Sequence, residues 1–67
     1  MEAEMKELHA LLDYIIKHNQ EHSEEIETLS QKAMNLGKTA VYDYLVKGVE
    51  QMKASNESLK KALDKLS

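Results

Sequence analysis

The sequence predicts an all-α fold, two long antiparallel helices joined by a turn at Gly37 and paired with a second hairpin into a four-helix bundle. Three observations carry this. Proline is absent, and the only glycines are Gly37 and Gly48. Ala, Leu, Glu, Lys, Gln and Met, the strong helix formers, fill most of the remaining positions. Apolar residues recur at helical spacing on both sides of Gly37, with no period-two pattern to compete.

The first helix is expected over residues 3–36. In a heptad register, Met5, Leu12, Asn19, Ile26 and Ala33 fall at a, and Leu8, Ile15, His22, Leu29 and Leu36 at d. Residues 37–38 form the turn: Gly37 can take the left-handed conformation that ends a helix, and Thr39 can cap the next one. Lys32 and Asp43 would complement the two macrodipoles. The second helix runs over residues 39–66, with Tyr42, Val49, Asn56 and Leu63 at a and Leu45, Met52, Leu59 and Leu66 at d. His18–Ser23 and Ser55–Ser58 are the weakest helix formers, so Ser23 or Ser55 could start a new helix. Continuous apolar register through both places favours two helices, in one domain.

Folding about Gly37 brings together positions whose numbers sum to about 75, which sets Asn19 opposite Asn56 and His22 beside Met52 and Lys53, in the same layer. Asn19, His22 and Asn56 are therefore expected to form a polar layer. A polar group in a seam costs stability unless it is partnered, so the layer either shares hydrogen bonds or holds a ligand.

Leu11, Ile16, Val41, Tyr44 and Val46 fall outside these seams, and Gly48, Ser55 and Ala62 recur every seven residues. A two-helix seam cannot cover those apolar side chains. They are expected to form an interface, in a homo-oligomer or with a protein partner, although scattered apolar residues are also ordinary on a small surface.

His18 and His22 stand at i and i+4, a spacing that puts two imidazoles on one helix face. With Glu25 and Glu57 they make a candidate site for zinc or nickel; the plainer reading makes His22 a hydrogen-bonded core residue and His18 a surface one. His9 lies about half a turn from His18 and is left out of that site. No cofactor is otherwise expected. No nucleophile stands beside an orienting base, and no phosphate-binding loop is present, so enzymatic activity is not expected.

Nine basic residues, all lysine, against twelve acidic ones give a net charge of -3. Without arginine, the side chain best suited to forked phosphate and base recognition is missing, and nucleic acid is not an expected partner. No stretch approaches the roughly 20 apolar residues of a membrane span, and the opening Met1-Glu2-Ala3-Glu4 is acidic where a signal peptide is basic. A cytoplasmic protein is expected.

The string His18-Asn19-Gln20-Glu21-His22, followed by Asn56-Glu57-Ser58-Leu59, resembles uncharacterised short prokaryotic helical-hairpin domains that share an H-N-x-x-H core and a downstream N-E-x-L. The resemblance implies a hairpin whose polar layer holds His18, Asn19, His22, Asn56 and Glu57.

Overall fold

The computed structural model describes residues 2–66. Helix α1 spans Glu2–Asn35 and helix α2 spans Thr39–Leu66, packed antiparallel along their length. Neither breaks at Ser23 or Ser55. No helix of the described residues is long and apolar enough to cross a membrane.

Gly37 takes a φ of +71°, which a Cβ would strain. Its amide donates to the Met34 carbonyl at 3.0 Å, and the Lys38 amide donates to that of Ala33 at 2.9 Å. These two bonds make a Schellman turn, which satisfies carbonyls that the end of α1 would otherwise leave free. The Tyr42 amide then bonds the Lys38 carbonyl at 2.9 Å, so Lys38 occupies the cap position and Thr39 is the first residue inside α2. This corrects the expected Thr39 cap. Asp43 likewise lies beyond the first turn of α2, which holds no acidic residue, whereas Lys32 does sit in the last turn of α1.

The seam of α2 follows the expected register, from Tyr42 and Leu45 through Val49, Met52 and Asn56 to Leu59, Leu63 and Leu66. The seam of α1 does not. Its inward residues are Leu12, Ile16, Asn19, Ser23, Ile26, Ser30 and Ala33, so the expected a stripe pairs with the residues that follow the expected d stripe. Leu8, Ile15, Leu29 and Leu36 are exposed, at 47%, 41%, 49% and 74%. His22, expected at a buried d position, is exposed as well. Ile16, expected at an outer interface, is buried inside the hairpin.

The reason lies in Ser23 and Ser30. Both hydroxyls donate to carbonyls of their own helix, Ser23 to Gln20 at 2.9 Å and Ser30 to Glu27. Each thus satisfies its own polar group and behaves as a small residue. With Ala33, they line the α1 side toward the turn, where large residues would hold the helices apart.

The core is thin: among the described residues, Ile16, Ala33 and Val49 are the buried apolar ones. The molecule is a rod of 53 × 15 × 11 Å with a radius of gyration of 15.6 Å. A compact chain of this length would have about 11 Å.

Candidate functional site

Turning α1 by about 50° from the expected seam, half of one residue's 100° step, gives the hairpin two unlike flanks. On one flank, Gln20, Glu24, Glu27 and Gln31 of α1 face Val46, Glu50, Lys53, Glu57 and Lys60 of α2 across shallow grooves. On the other, Leu8, Leu11, Ile15, His18, His22, Leu29 and Leu36 of α1 run beside Val41, Tyr44, Gly48, Ser55 and Ala62 of α2, by the 100° step of a helix. The groove that joins Asn19 to Gly48, Gln51, Met52 and Ser55 lies on this second flank.

Between the flanks sits the polar layer. Asn19 Nδ2 donates to Asn56 Oδ1 at 3.3 Å. Asn56, 7% exposed, uses its Nδ2 to donate to the Ile16 carbonyl at 3.1 Å. One buried amide therefore ties together a side chain and a main-chain carbonyl of α1. Ser23 fills the place in this layer where His22 was expected. Among the described residues, no buried side-chain polar atom lacks a partner.

His18 and His22 lie outside the layer, on the apolar flank. Their Nε2 atoms are 2.9 Å apart, with one ring donating and the other accepting. The rings meet edge-on, and Tyr14 stacks on His18 with centroids 5.5 Å apart. Glu25 Oε2 lies 3.7 Å from Nδ1 of His22, the nitrogen that faces away from His18. Glu57 is elsewhere: its carboxylate pairs with Lys60 at 3.4 Å and lines the charged groove with Gln20 and Lys53. The expected set of His18, His22, Glu25 and Glu57 is thus not assembled, and no group of three or more potential ligands converges among the described residues. His9 is placed with Met5, Lys6 and Leu66 at the open end.

Residues 8–66 match a family described as a domain of unknown function (DUF8180). The chain belongs to that family. The matched span takes in both helices, the Gly37 turn, the histidine pair and the asparagine layer, so the DUF8180 domain is the hairpin itself. No curated protein and no solved structure matches the chain.

Of the residues expected at an interface, Leu11, Val41 and Tyr44 lie exposed on the apolar flank. Val46 is half-buried in the charged groove. Sequence reasoning passed over Leu8, Ile15 and Leu29 by assigning them to the seam. The signal that separates the two stripes is Ser30 seven residues after Ser23, itself seven after Ile16, which marks a seam of shrinking residues.

Proposed function

We propose that this hairpin is a self-associating module that acts by assembly, with no catalysis of its own, through the flank that carries Leu8, Leu11, Ile15, Leu29 and Val41. The carrying observation is the surface area. The chain exposes 5355 Å² at a mass of 7.7 kDa, where a compact monomer exposes about 4300 Å². The excess of about 1000 Å² is close to the roughly 800 Å² that each partner of a standard interface buries.

Gly48 supports the same reading. A Cβ added there would meet nothing within 4 Å in the single chain. Glycine inside a helix costs about 0.5–1 kcal/mol relative to alanine, so its presence calls for a neighbour from outside the hairpin. Ser55 and Ala62 continue the small stripe on which such a helix could lie closely. The buried Asn19–Asn56 pair fixes which residues of α1 and α2 meet, and so fixes which side chains reach the flank. Assembly of two hairpins gives a four-helix bundle, with no nucleic acid involved.

Sedimentation equilibrium at micromolar to millimolar concentration tests this. The expected species has at least twice the chain mass of 7.7 kDa. A strict monomer with a cooperative thermal transition would overturn it.

A further inference from the structure

The histidine pair sits in the middle of the apolar flank, with Leu8, Leu11 and Ile15 before it and Leu29 and Leu36 after it. Two neutral imidazoles that offer each other one proton leave an unused lone-pair geometry. If that proton moves to Nδ1 of its own ring, both Nε2 atoms carry a lone pair, and a turn of each ring about its side-chain bonds brings the two to bear on one ion. With metal–nitrogen bonds of 2.0–2.1 Å, nitrogens 2.9 Å apart subtend about 90° at the ion. That is the bite of adjacent positions in tetragonal coordination, which nickel(II) and copper(II) take readily. Tetrahedral zinc needs the nitrogens about 0.4 Å further apart.

One hairpin supplies only these two ligands, because Glu25 faces the opposite edge of the His22 ring and Glu57 lies on the other flank. An antiparallel copy supplies the rest. When α1 meets α1 of a second chain with residue numbers summing to about 40, His18 opposes His22, Leu11 opposes Leu29, and Met5 comes beside Leu36. The same pairing brings Glu7 of each chain near Lys32 of the other and Glu4 near Lys38; it also sets Leu8 opposite Lys32 and Ile15 opposite Glu25, so charge and the histidines, rather than an unbroken apolar stripe, fix this alignment. We propose that His18 and His22 are half of a four-imidazole site for a tetragonal first-row divalent ion, completed by His18 and His22 of a second copy of this chain. This rests on the assembly reading above. Glu25, whose Oε2 stands 3.7 Å from His22 Nδ1, lies on the side of the ring where an accepting carboxylate would leave the Nε2 lone pair for the ion.

The test is titration of the untagged chain with nickel(II) alone and zinc(II) alone, followed by sedimentation equilibrium and nickel absorption spectra, against a chelator control. The parent, His18→Ala, His22→Ala and Leu29→Lys are compared, with circular dichroism as the check on folding. The expected result is one nickel per two chains, dimer affinity raised at least about tenfold by nickel and less by zinc, and loss of that increment in both histidine variants. Leu29→Lys should weaken the dimer and nickel binding together. A parent that dimerises in chelator and ignores nickel overturns the metal site and leaves the assembly standing. One nickel per monomeric chain, or nickel binding retained in His18→Ala, overturns the shared site. A parent that is monomeric with and without nickel overturns both readings.

Discussion

The two flanks of the hairpin are built from the same two helices, yet one is finished and the other is not. On the charged flank, Lys53 reaches across to Glu27 at 2.8 Å and, within α2, Lys60 pairs with Glu57, so these charges along the groove are partnered within the same chain. On the apolar flank, Leu8, Leu11, Ile15 and Leu29 stand about half exposed, and the two histidines have only each other at their Nε2 atoms. Charges at the edge of a helix pair can be satisfied by neighbours and by water. Aliphatic side chains there can only be covered, and a second helix is the cheapest cover.

The comparison is broken most severely by charging one flank at a time. Leu11→Lys should reduce self-association by at least about 100-fold, because each copy loses about 2 kcal/mol of apolar burial and gains a desolvated ammonium. Glu27→Lys, on the other flank, should leave the association constant within about threefold of the parent. Sedimentation equilibrium on both decides the matter, and equal losses would show that the flanks are not distinct.

A smaller effect is expected between the flanks. Asn19→Leu alone removes the donor to Asn56 Oδ1 and should destabilise the hairpin by about 1–3 kcal/mol, as should Asn56→Leu. The double replacement should recover much of that loss while relaxing helix alignment. Strictly additive single changes in a double-mutant cycle of thermal melts would show the two amides to be independent.

The smallest effect belongs to the closed flank. Lys53 is held above its ordinary pKa of 10.5 by its hydrogen bond to Glu27 and by that carboxylate's charge. A lysine raised on folding contributes stability that is fully present below its unfolded pKa and is lost as pH rises through the folded one. Glu27→Gln should therefore lower the melting midpoint slightly at neutral pH, and the difference from the parent should disappear in strongly alkaline buffer. A difference that persists there would assign it to packing of the Glu27 stem.

Much of this architecture is legible in the residues. Absent proline, a glycine between two helical patterns and matched heptads in α2 lead directly to the hairpin, and antiparallel pairing about Gly37 leads to the contact between Asn19 and Asn56. What misleads is α1, which carries two stripes of similar period. Leu8, Ile15, Leu29 and Leu36 are the more apolar, and a rule that buries the largest side chains selects them. The folded chain instead buries Ser23 and Ser30, because near the turn closeness of the helices is worth more than side-chain bulk, and a serine bonded to its own helix costs little. That half-residue rotation moves His22 from core to surface. The sequence pattern holds no direct record of such a choice, since it depends on how closely two backbones approach.

The Schellman turn has a kinetic meaning. Contacts near Gly37 close short loops, whereas the Asn19–Asn56 contact spans 37 residues and the Asn56–Ile16 contact 40. Loop-closure entropy grows with that separation, so pairing should begin at Gly37 and proceed toward the open end like a zip. The asparagine layer then lies midway along the path as a checkpoint. A zip started one heptad out of step brings Asn56 against Leu12 or Ile26, neither of which can answer its amide, and the chain has reason to open and begin again before its outer turns commit.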